Sequence, residues 1–427
     1  MTDIIQAVRG MNDILPPETD SWQHAENMIK KIFHGHGYQE IRFPIVEKTE
    51  LFKRSIGEIT DIVEKEMYTF LDRNQESLTL RPEGTASCVR AGIEHGLLYN
   101  QVQRLWYGGP FFRHERPQKG RYRQFHQLSA EVFGLEGPDI DAELIIMSAL
   151  ILEKLGVSDM VKLQLNSLGT SESRATYRKQ LVHYFNENKQ FLDEDSLHRL
   201  HKNPLRILDS KNSDMREVIA HAPKLIEHLD EASLKHFEKL QDYLAHAGVK
   251  FEVDPCLVRG LDYYTKTVFE WTTDKLGAQA TVCAGGRYDG LVEQLGGKAT
   301  PALGFSIGME RLILLLQQTD HNHKAESTLH AYLITDSEES FVAGLKLANY
   351  LRGHVPGLRL MLHSGGGNLK NQFKKADKSG AQYAIIIGEH ERKTHSVSLK
   401  SLREDIPQQS LYQDELAEYL KLKLHAH

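Results

Sequence analysis

FFRHERPQKGRYRQFHQLSAEVFG, residues Phe111 to Gly134, is the stretch whose reading decides the fold. It reads as two strands joined by a basic loop. Gln118-Lys119-Gly120 supplies the turn, because glycine takes a positive φ without penalty. Strand side chains alternate between faces. Arg113 and Glu115 share one face of the first arm. Arg121, Arg123, Phe125, Gln127 and Glu131 share one parity on the second. That face carries cations, a flat ring, an amide and a carboxylate. It suits a charged, planar ligand, with arginines for phosphate and a ring for a base. A solvated hairpin with scattered charge is the other reading, and the hairpin alone leaves both standing.

Working outward, the 427 residues are 40% hydrophobic and 26% charged, with a net charge of −6. That is the balance of an ordinary globular chain of two or three domains. Any nucleic-acid contact must come from local basic patches and not from overall charge. No apolar run approaches the roughly 18 residues of a membrane span, so no membrane is expected. The opening MTDIIQAVRGMNDILPPE has neither a basic n-region nor an apolar h-region, and the expectation is no secretion. Cys88, Cys256 and Cys283 lie far apart, which fits a reducing, cytoplasmic setting.

Upstream of the hairpin, Thr19 to His36 reads as a helix, with Trp22, Ala25, Met28, Ile29, Ile32 and Phe33 at helical spacing. Tyr38 to Pro44 reads as a strand. Leu78 to Thr85 is a strand entering a Pro-Glu-Gly-Thr turn, with a helix from about Ala86. There Glu83 and Thr85 have the chemistry of a helix cap. Downstream, Ile140–Leu155 reads as a helix and Val161–Asn166 as a strand. Residues 171–248 form a polar, helical insertion. Leu257 to Lys266 (LVRGLDYYTK) reads as a strand with a bulge, and Ala284 to Gly290 (AGGRYDG) as a glycine turn or a pocket lining. Pro301 to Leu312 is a strand running into a helix. Gln317 to Thr328 reads as a polar linker, and its His321 and His323 have no partner at metal-ligand spacing. From Leu329 strands and helices alternate as in an α/β domain with a parallel core. Ser364 to Lys370 lacks the spacing of a phosphate-binding loop.

These stretches carry a resemblance. Phe112-Arg113-x-Glu115 with Arg123-x-Phe125 resembles motif 2 of the class II aminoacyl-tRNA synthetases. The segment 19–44 is similar to motif 1, and the segment 301–312, closing on Arg311, to motif 3. VRGLDYYT and AGGRYDG resemble the two signatures of the histidyl-tRNA synthetase family, bacterial type. The C-terminal part resembles the anticodon-binding domain of several class II enzymes.

The resemblance implies an α+β catalytic domain, residues 1–325, with a class II antiparallel sheet flanked by helices and the helical insertion at 171–248. An α/β anticodon-binding domain follows at 326–427. It implies a histidine–tRNA ligase that makes histidyl-adenylate from L-histidine and ATP with Mg²⁺, then charges histidine tRNA. Arg113, Arg259 and Arg311 are the implied catalytic residues. Glu83, Thr85, Arg113, Gln127, Glu131, Arg259, Tyr263 and Tyr264 are implied for histidine. Arg113, Glu115, Arg121, Arg123, Phe125 and Arg311 are implied for ATP, and Arg116, Gln118 and Lys119 for tRNA. No residue is assigned as a metal ligand. A homodimer is expected. The alternatives are a non-charging, synthetase-like regulatory paralogue and a plain tRNA-binding protein.

Overall fold

The computed structural model describes residues 4–56, 60, 62–210, 212–277, 281–319 and 329–425. The linker with His321 and His323 lies outside the described residues apart from its first three positions. The chain divides into two compact units, 1–322 and 323–427.

The hairpin forms the centre of the first unit. Strands Gln103–Phe112 and Gln124–Phe133 pair antiparallel over their whole length, with Phe111 opposite Phe125. Their sheet has eight strands. The order is Gln39–Glu40, Gln103–Phe112, Gln124–Phe133, Ala302–Gly308, Thr281–Arg287, Thr265–Thr272, Lys162–Ser167 and Glu252–Val253. Only the two short edge strands pair parallel. The strand expected at 38–44 is cut to Gln39–Glu40, because after Ile41 donates to the Trp106 carbonyl the chain leaves the sheet.

Alternation along Gln124–Phe133 assigns the two faces. Leu128, Ala130 and Val132 pack against the helices Glu18–Gly35, Pro138–Lys154, Glu231–His246 and Met309–Leu316 through Trp22, Phe33, Ile145, Phe237 and Leu312. Each such side chain contributes roughly 1.5–3 kcal/mol on burial. Phe125, Gln127, Ser129 and Glu131 have the opposite parity and face the other side. The helix Glu231–His246 lies inside the stretch read as an insertion, yet Phe237, Leu240 and Leu244 belong to this core. The rest of that stretch is less solvated than its charge implies, since Tyr177, Leu181, Phe185 and Leu200 are buried.

Two further elements differ from the sequence-based expectation. Leu257–Tyr264 is irregular and not a bulged strand; the strand begins only at Thr265. Gly285 and Gly286 form no turn but sit mid-strand, where neighbouring backbones close in. A small sheet of Val46–Lys48, Ser77–Leu80 and Tyr68–Leu71 presents the Glu83 turn.

The second unit holds a five-stranded sheet in the order Leu360–Leu362, Ala331–Thr335, Tyr383–Ile387, Ser396–Ser401, Gln409–Tyr412. The first three strands are parallel, as expected; the last two add antiparallel. The first of these two, Ser-Val-Ser-Leu-Lys-Ser at 396–401, alternates polar and apolar residues and gives no strong apolar run.

Candidate active site

On the face of the sheet opposite the packed helices lies a buried carboxylate. Glu131 is 1% exposed. It accepts from Thr85 Oγ1 at 2.9 Å, Tyr107 OH at 2.7 Å and Tyr288 OH at 2.5 Å. Burial pushes its pKa up and outweighs the three hydroxyl donors, leaving it at about 8. A Cβ on Gly304, opposite it in the ladder, would collide with the carboxylate, so glycine is required there by close approach.

Beside it, the Glu83 carboxylate accepts from the backbone N–H groups of Thr85 (2.7 Å) and Ala86 (2.9 Å), and from Tyr263 OH at 3.4 Å. It therefore does cap the helix Thr85–Glu94 from just before its start. Each oxygen keeps acceptor capacity beyond those bonds. Burial also raises the Glu83 pKa. Arg81, stacked 4.5 Å from the Phe111 ring, pins the turn to the hairpin.

The outer part is cationic. A cavity of about 250 Å³ is lined by Arg113, Arg121, Arg259 and Arg311 together with Glu115, Phe125, Gln127 and Thr281. Arg113 donates Nε to the Pro82 carbonyl at 2.9 Å and lies 5.3 Å over the Phe125 ring. Arg311 donates to the carbonyls of Gly120 (3.0 Å) and Thr281 (2.6 Å). Burial, then Arg121 and Arg113, lower its pKa to about 10. Arg121 pairs with Glu115. Arg259 pairs with Glu270 and lies 5.4 Å over the Tyr264 ring. Burial pulls its pKa down, but Glu270 and Tyr264 more than restore it.

The structure thus brings together all the sequence-derived candidates for histidine and ATP except Arg123. That side chain turns to the N-terminal segment, donating to the carbonyls of Glu115 and Arg9. Arg123 lies just beyond the continuous ladder, which ends at Phe112 and Gln124. Arg116, Gln118 and Lys119 are exposed on the loop. Sequence reasoning missed Tyr107, Tyr288, Glu270, Thr281 and Glu310. Tyr288 was within reach, inside AGGRYDG. Glu310 accepts from the His126 backbone N–H at 2.9 Å, locking the hairpin to the last helix of this unit.

A second cavity, of about 280 Å³, shares Arg113, Glu115 and Arg121 with the first. Its far wall is His198, Arg199, Lys202 and Arg206 of the insertion.

Among the described residues, no three His, Cys, Asp or Glu side chains converge to hold a metal. None of their helices is long and apolar enough to cross a membrane.

An antiparallel sheet carrying an arginine hairpin, with buried carboxylates at one end of the cleft and guanidinium groups at the other, defines a class II aminoacyl-tRNA synthetase. Residues 10–312 match the histidyl-tRNA synthetase family, and residues 332–423 the anticodon-binding domain family. The structure of apo S. aureus histidyl-tRNA synthetase is 36% identical, covering 98% of this chain and 100% of that one, with a TM-score of 0.81. The chain belongs to the histidyl-tRNA synthetase family, and its activity is that of a histidine–tRNA ligase with ATP as a substrate. Two more distant structures share the fold. Histidyl-tRNA synthetase from Nostoc sp. PCC 7120 is 21% identical, covering 99% of this chain and 100% of that one, with a TM-score of 0.71. An ATP phosphoribosyltransferase regulatory subunit/histidyl-tRNA synthetase from Bacillus halodurans is 22% identical, covering 91% and 100%, with a TM-score of 0.64. The two family matches and the 36% identical structure do not favour the regulatory-paralogue reading.

Proposed function

We propose the following division of labour within the cleft. Histidine sits at the carboxylate end. Its imidazole meets Glu131 and Tyr264, and its α-ammonium meets Glu83, Thr85 and Gln127. Those acceptors suit a group with three donors and no acceptor. ATP lies along the hairpin. Phe125 and Arg311 sandwich adenine, and Glu115 accepts from its amino group. Arg113 and Arg259 grip the α-phosphate, while Arg311 and Arg121 hold the β/γ end. The histidine carboxylate attacks the α-phosphorus and expels pyrophosphate. The protein positions the reactants and stabilises the charge that develops. The terminal ribose hydroxyl of histidine tRNA then attacks the adenylate carbonyl.

The observation that carries this reading is a pair of buried carboxylates, Glu83 and Glu131, beside a cavity lined by four arginines, one of which, Arg113, donates to the Pro82 carbonyl next to Glu83. The pocket-lining carboxylates Glu115 and Glu310 are engaged by Arg121 and His126. They make no protein cage, so Mg²⁺ fits here as an ion carried on the nucleotide's phosphates. The cationic second cavity supports passage of the tRNA 3′ end between hairpin and insertion, with Arg116, Gln118 and Lys119 touching the acceptor end. Histidine-dependent ATP–pyrophosphate exchange tests the whole reading. A folded protein that charges no histidine and exchanges no pyrophosphate overturns it.

Residues 1–325 are the activating domain in this reading, and 326–427 serve the tRNA anticodon. Truncation after Ala325 is expected to keep pyrophosphate exchange within a few fold and abolish aminoacylation. A homodimer in the cytoplasm is part of the same reading. The apolar face of the helix Glu18–Gly35 is covered by its own subunit and gives no ground for a dimer. Ile45, Val46, Phe70 and Leu71 are the exposed apolar groups that a second copy would cover. Sedimentation of a fully active monomer at micromolar concentration removes the dimer.

A further inference from the structure

Two arginines of the phosphate end are held through one residue. Thr281 opens the strand Thr281–Arg287. Its hydroxyl donates to Glu270 Oε2 at 2.7 Å, and the other Glu270 oxygen pairs with Arg259 Nη1. The Thr281 carbonyl accepts from Arg311 Nη1 at 2.6 Å, while Arg311 Nε donates to Gly120 at the hairpin tip, at 3.0 Å. The ladder makes this possible by slipping between Thr281, which pairs with Thr272, and Cys283, which pairs with Trp271. Such irregularities re-aim side chains beside active sites.

Glu270 lies behind the cavity wall. Arg259, Arg311 and Thr281 line the cavity. The Arg259 and Glu270 side chains are 18% and 14% exposed, so their pairing is sheltered from solvent screening. Arg259 is held by Glu270 at Nη1 and packs over the Tyr264 ring, and among the described residues its buried Nε has no hydrogen-bond partner. A buried donor without a partner is costly, and a ligand oxygen would relieve it. The mooring therefore fixes the guanidinium plane and keeps a donor in reserve.

We propose that Glu270 and Thr281 are positioning residues for adenylate formation. Glu270 sets the angle at which Arg259 meets the α-phosphate, and Thr281 ties that angle to Arg311 and the hairpin tip. The inference rests on the reading of Arg259 as an α-phosphate ligand. Glu270 touches neither substrate; it acts through Arg259. Thr281 acts on Arg259 through its hydroxyl and on Arg311 through its carbonyl, so a valine in its place severs the first link and leaves the second.

The test is single-turnover adenylate formation by the full-length chain, as wild type, Arg259→Ala, Glu270→Gln, Thr281→Val and the double variant Arg259→Ala/Glu270→Gln. Melting temperature and histidine KM are measured alongside. Glu270→Gln is expected to slow adenylation about tenfold and Thr281→Val about threefold, within the usual range for coupled neighbours. Histidine KM should stay within about twofold of wild type. In the Arg259→Ala background, Glu270→Gln should cost nothing more. If it slows Arg259→Ala by the same factor as wild type, Glu270 is merely structural and the inference is overturned. An unchanged rate in both Glu270→Gln and Thr281→Val overturns it too. Should Glu270→Gln fail to fold, Thr281→Val decides alone. A wild-type rate in Arg259→Ala defeats the underlying reading of Arg259 and the inference with it, an outcome distinguishable from additivity.

Discussion

The two ends of the cleft are built on opposite plans. At the carboxylate end, four hydroxyl donors and two backbone N–H groups converge on Glu131 and Glu83 before any ligand arrives. At the guanidinium end, Arg113 and Arg311 are steered by main-chain carbonyls, and Arg259 and Arg121 by carboxylates. On the proposed assignment the first end is a neutral-leaning pocket that selects, and the second is a set of restrained charges that become most useful as charge builds on phosphate. Binding that is equal in ground and transition states lowers KM, whereas contacts made more strongly in the transition state raise kcat. The comparison therefore assigns specificity to one end and rate to the other, and each end has a variant that can break the assignment.

The largest effect belongs to the guanidinium end. Arg259→Ala should slow adenylate formation by about 10²–10³, the usual cost of one preorganised donor. Histidine affinity should change little. Arg259→Lys should recover only part, since an ammonium cannot make the two-pronged contact. A purely structural Arg259 predicts the reverse: a lower melting temperature with near-normal chemistry in the folded fraction. Its ion-pair partner in that case is Glu270; Asp262, the nearest acid in sequence, is instead held by Asn203 Nδ2 at 2.9 Å.

At the carboxylate end, Glu131→Gln should raise histidine KM about 10- to 100-fold, the worth of a hydrogen bond to a charged group, and leave the adenylation rate at saturating histidine much less affected. The same residue predicts a pH effect on the ligand-free protein. Its folded pKa of about 8 lies above the ordinary glutamate value near 4.3. Between those values the folded state holds more protons than the unfolded one. Stability should therefore fall as pH rises from about 5 to about 8, by at most about 1.4 kcal/mol per pH unit from this group. Melting curves of wild type and Glu131→Gln across that window are the check. Parallel curves would mean that the pocket is not neutral-leaning, and the contrast between the two ends would shrink.

The same contrast explains what could be read from the sequence. The hairpin was legible because its determinants are local: alternation and a glycine turn. Gly120, at φ +73°, takes the left-handed conformation the turn required. Arg113 and Arg121 were legible from the charged, alternating stretch they sit in, whereas Arg311 came only from the resemblance of residues 301–312 to motif 3. Glu131 could be placed on the correct face, but not its collar. Tyr107, Tyr288 and Thr85 meet it from three separate elements; Thr85 and the AGGRYDG stretch stand out in the sequence, but nothing in it joins them to Glu131. Glu270 and Thr281 were illegible for the same reason, since their pairing depends on a slip in the ladder between two strands. Arg123 turns to the carbonyls of Glu115 and Arg9, while Arg121, of the same parity and also beyond the continuous ladder, lines the cavity.

The smallest effect should come from the hairpin tip, which belongs to neither end. Gln118 is exposed, and its backbone N–H and carbonyl both pair with Arg121 across the turn, at 3.0 and 2.9 Å. The turn is thus held by main chain, and its Gly120 carbonyl by Arg311. Removing the Gln118 side chain leaves all of this intact, so the ATP-facing arginines should not move. What is lost is one exposed amide able to meet RNA. A single neutral hydrogen bond is worth about 0.5–1.5 kcal/mol, which corresponds to roughly 2- to 10-fold in rate. Gln118→Ala should therefore slow transfer to tRNA by that factor and leave pyrophosphate exchange unchanged. Because Arg311 anchors the same tip, the alternative is concrete: if the tip is part of the phosphate end, both steps slow together. Rapid-quench measurement of transfer from preformed adenylate, beside exchange on the same preparation, separates the two. An equal loss in both steps would fold the hairpin tip into the rate-setting half of the cleft and leave the RNA contact to Arg116 and Lys119.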